Sequence, residues 1–346
     1  METVMLGQSG LKVSALCLGT MSWGTQNSEA EGHGQMDQAL AAGVNFLDTA
    51  EMYPVNPIRV ETIGLTETII GNWIARTSRR GDWIIATKIA GEGSQARGGE
   101  AITGAAIGRA LEASLRRLRT DWVDIYQLHW PNRDVYHFRD NWIFDPRSHD
   151  PAAILANMER CLEALSGAIA SGKIRQWGLS NETVWGMAQW LRLADRMGVA
   201  RPITIQNEYS LLCRLWDTDM AELAHNEDLT LLGFSPLATG LLSGKYQGDV
   251  VPAGSRRSLN PTLGGRIGPR VWPAVDAYLA IAKAARLDPA QMAIAWAMSR
   301  PVPTVPIIGA TTREQLANVL AAADVRLSPE VSAAIAAAHR AHPLPY

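Results

Sequence analysis

Four ionisable residues, Asp48, Tyr53, Lys88 and His129, stand at or just past the ends of apolar runs. Run 44–47 ends on Asp48, run 83–87 stops at Lys88, and run 123–128 stops at His129. Tyr53 follows Asp48 on a loop carrying Pro54 and Pro57. A tyrosine near its free pKa of about 10 is a poor acid or base at neutral pH. An ammonium beside it lowers that value, and Lys88 can supply one, with Asp48 holding the lysine charged. His129 can hydrogen-bond a substrate oxygen. Together these make a proton-donating site facing a carbonyl. Nothing in the set is a good nucleophile or has metal-ligand spacing. A carbonyl that receives a proton also needs a hydride, which a cofactor must carry.

Singly, each residue has a structural reading: a capping Asp48, a loop-packing Tyr53, a solvated Lys88, a half-buried His129. Their shared position is what points to function. Lysine is also scarce beside arginine, with only Lys12, Lys88, Lys173, Lys245 and Lys283. A lysine where arginine is habitual suggests a need for a point charge.

The elements that must position these residues follow in order. A hairpin is expected over 3–7 and 11–14, turned at Ser9-Gly10. Strands are expected over 15–18, 44–47, 83–87, 123–128, 174–179, 203–205, 229–233 and 302–308. Helices are expected between them, over 33–42 (closed by Gly43), 66–77 (capped by Thr66), 103–119, 152–171, 182–197, 217–226, 272–285, 289–299 and 313–322, with a tail helix from Ser328. Ile107, Leu111, Leu115 and Leu118 fall on one helical face. Parallel strands need crossover helices. Eight strand-then-helix units without a composition break predict an α/β fold, a (β/α)8 TIM barrel, as one domain over residues 1–346. Long connections follow the fourth and seventh strands. The first, 130–150, is rich in aromatics; the second, 238–269, is rich in Gly, Pro and Arg. A doubly wound sheet is the runner-up, but Gly19-Thr20-Met21-Ser22-Trp23-Gly24 does not fit its dinucleotide turn. Segment 240–246 is one spacer short of a P-loop.

Composition excludes several classes. The formal net charge is −2, with no basic stripe for nucleic acid and no apolar run of about 18 residues for a membrane. No signal peptide is visible, so a cytoplasmic location is the default expectation. Cys17, Cys161 and Cys213 are too scattered for a disulfide framework or zinc knuckle. Asn181-Glu182-Thr183 reads as a chance glycosylation triplet. Nothing indicates a homo-oligomer, and the expected partner is a small carbonyl compound.

The chain resembles the aldo-keto reductases over almost its whole length. The resemblance rests on Gly19-Thr20-Met21, Asp48-Thr49-Ala50-x-x-Tyr53, Thr87-Lys88, Leu128-His129-Trp130-Pro131, Gly178-x-Ser180-Asn181, Gln206-Asn207-x-Tyr209-Ser210, Phe234-Ser235-Pro236-Leu237 and Gly309-Ala310-Thr311-Thr312. Glu51-Met52-Tyr53-Pro54 and Gly64-Leu65-Thr66-Glu67-Thr68 resemble the family's bacterial Tas-like branch more narrowly. The resemblance implies NADPH/NADP+ bound in extended form at Gly19, Thr20 and Met21. It makes Tyr53 the proton donor, Lys88 and Asp48 its pKa-lowering partners, and His129 the residue that orients the carbonyl. Ser180, Asn181 and Gln206 would hold the carboxamide, and Phe234 would stack on the nicotinamide. Ser235, Pro236, Leu237, Gly240, Lys245 and Arg256 would line the phosphates, with Arg257 the rival of Arg256 for the 2′-phosphate. Gly309, Thr311 and Gln315 would reach the adenosine end. Val319 stands where related reductases often carry Asn.

Three functions follow as alternatives: a carbonyl reductase, a cofactor-sensing regulatory subunit like the relatives attached to potassium channels, and a dehydrogenase of alcohols or sugars. Trp23, Trp130 and Trp142 are expected to wall the substrate pocket, with Trp23 and Trp130 nearest the carbonyl. Such aromatic walls suit bulky or ring-shaped substrates.

Overall fold

The computed structural model describes residues Met1–Tyr346. A hairpin, β1 (Thr3–Met5) with β2 (Lys12–Ser14), pairs antiparallel and precedes the barrel. The chain continues through β3 (Cys17–Gly19), α1 (Glu29–Ala41), β4 (Phe46–Asp48), α2 (Leu65–Thr77), β5 (Ile84–Ile89) and α3 (Gly104–Leu118). Then come β6 (Val123–Leu128), α4 (Pro151–Ala170), β7 (Ile174–Ser180), α5 (Val184–Met197), β8 (Thr204–Glu208), α6 (Asp219–Asn226) and β9 (Thr230–Phe234). Last are α7 (Arg256–Leu259), α8 (Val271–Ala284), α9 (Pro289–Met298), β10 (Thr304–Ile308), α10 (Arg313–Leu320) and α11 (Pro329–Ala341). Strands β3 to β10 close a parallel barrel in sequence order, with β10 beside β3. The expected (β/α)8 barrel, hairpin and long loops after β6 and β9 are all present.

The barrel interior follows from strand alternation, since residues two apart share a face. Cys17, Phe46, Ala86, Ile125, Leu232, Val305 and Ile307 form one apolar cluster, joined from below by Leu6 and Val13 of the hairpin region. Two residues further along the same strands stand Gly19, Asp48, Lys88, Gln127 and Phe234. The barrel is thus plugged with hydrocarbon at its lower end and turns polar at its mouth. A larger core packs the helices on the barrel's outer wall, including the expected stripe of Ile107, Leu111, Leu115 and Leu118 on α3.

Several boundaries differ from expectation. Helix α1 starts at Glu29, a turn before residue 33, because Ser28 and Glu31 form a capping box. Thr66 does not cap α2. Gly64, in a left-handed conformation, stands there, and the Thr66 hydroxyl donates to the Trp23 carbonyl at 2.7 Å. Lys88 and Gln206 lie within their strands rather than past them. The ladders run on past both residues, Lys88 standing opposite Gln127 and Gln206 opposite Ser180 and Leu232.

Gly71 on α2 lets the helix lie against the end of α3. A Cβ there would stand 2.1 Å from the Arg117 carbonyl oxygen. Gly71→Ala should therefore lower stability by about 1–3 kcal/mol through overpacking. Gly108→Ala, on the open face of α3, has nothing within 4 Å and should raise it by up to about 1 kcal/mol. Urea midpoints at equal m-values would read both, and a neutral Gly71→Ala would contradict the contact.

Candidate active site

Asp48, Lys88 and Tyr53 converge because β4 and β5 are neighbours in register, Asp48 opposite Ala86. The completely buried Lys88 Nζ donates to Asp48 Oδ2 at 2.7 Å and to the Thr49 carbonyl at 2.7 Å. It reaches Tyr53 Oη at 3.5 Å. His129 follows β6, its backbone N–H bonded to the Ile89 carbonyl at 3.0 Å, and its ring lies 5.9 Å from that of Tyr53. The four residues expected from the sequence are therefore brought together at the barrel mouth.

Burial is the largest influence on the Lys88 ammonium and disfavours it, but Asp48 and Tyr53 together prevail and hold the lysine above its ordinary value. Burial and the charge of Lys88 push His129 well below the histidine range, so the imidazole is neutral at physiological pH. Tyr53 departs from expectation. Burial raises its pKa more than Lys88 lowers it, and the net direction is upward. The phenol thus stays protonated across the physiological range. A neutral imidazole and a protonated phenol beside a fixed ammonium can polarise a carbonyl and give it a proton.

The ends of β7 and β8 supply a second group. The Ser180 hydroxyl donates to the Gln206 carbonyl at 2.8 Å. Asn181, in a left-handed backbone conformation, donates from Nδ2 to the His129 carbonyl at 2.9 Å, while its Oδ1 is buried without a partner. Gln206 donates from Nε2 to Asp48 Oδ1 at 2.8 Å. Thr20 closes the floor, its N–H and hydroxyl both donating to the Asp48 carbonyl. Gly19 pairs with Asp48 across β3 and β4. Phe234, half-buried, ends β9.

Beyond β9, Ser235, Pro236 and Leu237 lead into the second long loop, where Lys245 Nζ packs against Gly240. Neither Lys245 nor Arg256 has a carboxylate partner among the ion pairs of the protein. The Arg256 guanidinium lies inward instead, 3.6 Å from Met21 Sδ. Arg257 is committed elsewhere, to Asp249, the Val250 carbonyl and the Trp272 ring. A polar cleft of about 240 Å³ runs between Gly254, Leu259, Asn56 and Thr311. Gly309 precedes it, and Gln315 Oε1 accepts from both the N–H and the hydroxyl of Thr311. Val319 is buried in the core, so the position that often carries Asn does not face the cleft.

The three tryptophans separate. Trp23 is fully buried, its Nε1 donating to Gln35 Oε1 at 3.0 Å and its ring over Gly32 of α1. It is a core residue, and the expectation that it stands nearest the carbonyl is not met, because the bare Gly32 opens a slot for it behind the mouth. Trp130 does flank the site, 4.9 Å from the His129 ring. Trp142 sits at the outer rim, 53% exposed, with Arg270 over its ring at 4.5 Å.

Three residues near the site were not singled out from the sequence. Gln127 lies inside the barrel beside Asp48. Glu51 accepts from the Ala90 N–H and pairs with Arg97, tying the Tyr53 loop to the strand end that carries Lys88. Glu208 accepts from Arg139 of the loop after β6 at 2.9 Å and from Arg266 of the loop after β9 at 2.8 Å. Tyr346 adds a third donor to Glu208 at 3.1 Å. Burial pushes Glu208 upward, but the two guanidiniums prevail and keep it below the usual carboxylate value. Buried acidic residues flanked by loop arginines were the available signal, but the pairing is invisible without the fold.

Glu208 is the only carboxylate through which both long loops are tied. Glu208→Gln should speed tryptic cleavage within residues 139–270 while leaving far-ultraviolet circular dichroism unchanged, because breaking one side of a buried pair costs about 3–5 kcal/mol. Unaltered cleavage would remove Glu208 as the anchor.

The profile of the Aldo/keto reductase family matches residues 15–340. Protein tas of Escherichia coli strain K12 is 41% identical, the alignment covering 100% of this chain and 99% of that protein. The uncharacterized oxidoreductase YrpG of Bacillus subtilis is 32% identical, over 96% of this chain and 94% of its own. The probable voltage-gated potassium channel subunit beta of Arabidopsis thaliana is 31% identical, over 94% and 92% respectively. No helix is long and apolar enough to cross a membrane. Matched along nearly its full length and folded as the closed barrel with its ion pair at the mouth, the chain belongs to the aldo/keto reductase family.

Proposed function

We propose that this protein is an NADP(H)-dependent reductase that converts an aldehyde or ketone to the alcohol. The observation that carries the reading is the buried Lys88 ammonium, shared between Asp48 and Tyr53 at the barrel mouth. In this reading Tyr53 Oη gives its proton to the carbonyl oxygen. Lys88 stabilises the phenolate that remains, and Asp48 keeps Lys88 charged and in place. His129, neutral, donates an N–H to the same oxygen and fixes its direction. Trp130 walls the substrate side and Trp142 the outer rim.

Residues present fit the nicotinamide cofactor. The orphaned Oδ1 of Asn181 and the free Oε1 of Gln206 are acceptors matched to a carboxamide N–H. Ser180 braces Gln206, and Phe234 offers a ring for stacking. Arg256 and Lys245, lacking carboxylates, suit phosphate oxygens, as does the backbone around Gly19, Thr20, Met21 and Gly240. Thr311, Gln315 and Gly309 border the cleft that would take the adenosine end. When NADPH is bound, its nicotinamide supplies the hydride. The same residues serve the reverse reaction, so oxidation of an alcohol or sugar differs only in cofactor ratio. The named potassium channel relative supports a second reading, a cofactor-sensing subunit without turnover.

Steady consumption of NADPH with a panel of small aldehydes and ring ketones, and of NADP+ with the alcohols, tests the reading. No turnover in either direction, with tight cofactor binding, would favour the sensing subunit. Tyr53→Phe should cut turnover by about 100- to 10,000-fold and leave NADPH affinity nearly intact; half of wild-type turnover would sink the assignment.

We expect NADPH to be preferred over NADH, with Arg256 rather than the committed Arg257 meeting the 2′-phosphate. Arg256→Ala should raise the Kd for NADPH and leave NADH little changed, with the gap narrowing at high salt. Equal weakening of both cofactors would move Arg256 to the pyrophosphate, a position its contact with Met21 also allows.

A further inference from the structure

Three side chains at the top of the barrel interior close a hydrogen-bonded ring. Gln206 Nε2 donates to Asp48 Oδ1 at 2.8 Å and to Gln127 Oε1 at 3.2 Å. Gln127 Nε2 donates to the same Asp48 Oδ1 at 3.3 Å. Both N–H groups of Gln206 are therefore spent inward. Its Oε1 makes no hydrogen bond within the protein and is not among the sealed, partnerless atoms. A side-chain amide has one acceptor end and one donor end, and only the surrounding network decides which faces where. Turned over, Gln206 would set its Oε1 against two other acceptor oxygens, Asp48 Oδ1 and Gln127 Oε1.

Gln127 is completely buried and is paired across β6 with Lys88 on one side and Gly178 on the other. Its ordinary reading is a satisfied interior amide. Its place in the ring says more. Asp48 alone engages one N–H of Gln206, and the second would be left without a partner if Gln127 were removed. An unpaired buried donor is costly, and the amide would then gain by rotating it towards the mouth.

We propose that Gln127 is a positioning residue that locks the orientation of Gln206, so that Gln206 presents an acceptor, and only an acceptor, to the cofactor's ring substituent. This rests on the cofactor reading above. It predicts that recognition depends on an N–H on that substituent, and that the dependence is set from Gln127, which does not touch the cofactor.

The probes are NADP+ and its 3-acetylpyridine analogue, in which a methyl ketone replaces the carboxamide and its N–H donors. Calorimetric titration of the full chain, without carbonyl substrate, gives the ratio of the two dissociation constants. Wild type should bind NADP+ about tenfold more tightly than the analogue, the typical loss when a buried acceptor goes unpaired. Gln127→Met, near in volume but without an amide, should shrink that ratio several-fold, and Gln206→Met should shrink it at least as far, leaving only the share that the Asn181 Oδ1 acceptor supplies. Gln127→Leu serves if the methionine variant does not fold. A merely structural Gln127 would change stability or both affinities together and leave the ratio alone, which would overturn the proposal. Equal wild-type affinities would also overturn it, because Gln206 would then not act as the acceptor. A wild type that binds neither compound would remove the cofactor reading itself, and this proposal with it.

Discussion

The buried pair of Lys88 and Asp48 is the constraint on which the rest of the site depends. An ammonium and a carboxylate taken out of water lose several kcal/mol each unless their hydrogen-bonding capacity is filled. Here it is filled. Lys88 has three N–H donors and faces three oxygens, on Asp48, Thr49 and Tyr53. Asp48 Oδ2 takes the lysine, and Oδ1 takes the two glutamine amides. The polar layer at the top of the barrel is the coordination shell of one ion pair. Tyr53 and Gln206 are members of that shell which also face the mouth, so the same bonds that make the charges tolerable aim the reactive groups.

The loops above are held by the same kind of economy. Glu51 ties the loop bearing Tyr53 to the strand bearing Lys88. Glu208, two residues beyond Gln206 on β8, gathers both long loops through Arg139 and Arg266. Each is a single buried carboxylate, Glu51 paired with one arginine and Glu208 with two, from segments distant in sequence. The barrel base below is apolar, and at the mouth these two carboxylates are where loops are fastened to strand ends.

Much of this was legible in the sequence, for a physical reason. In a parallel barrel, function collects at one end of every strand, so a run of apolar residues broken by Asp48, Lys88 or His129 marks both the strand and the mouth. The eight-fold repeat and the aromatic loop followed from the same patterning. Gln127 escaped notice because it sits inside a strand whose residues are all buried, and inward direction depends on register rather than on residue type. Trp23 misled because an aromatic after a strand end looks like a pocket wall, and only the packing against Gly32 shows otherwise. The upward net shift of Tyr53 was hidden too. Lys88 was visible in the sequence, but the depth of burial that outweighs it was not. Ser28 and Glu31 did carry a readable start signal for α1, masked because that helix buries small and polar residues such as Gly32 and Gln35.

The hairpin at the lower end has a consequence for traffic. Leu6 and Val13 are completely buried against the cluster that fills the barrel's base, and the barrel therefore has a single door. Anything that reaches the ion pair must come and go at the mouth, past the loops above it. On the proposed reading, a nicotinamide seated against Gln206 and Asn181 would lie beneath a carbonyl beside Trp130, and would have to enter before that carbonyl and leave after it. The order of binding would then be dictated by a cul-de-sac, with no need for one guest to raise the affinity for the other.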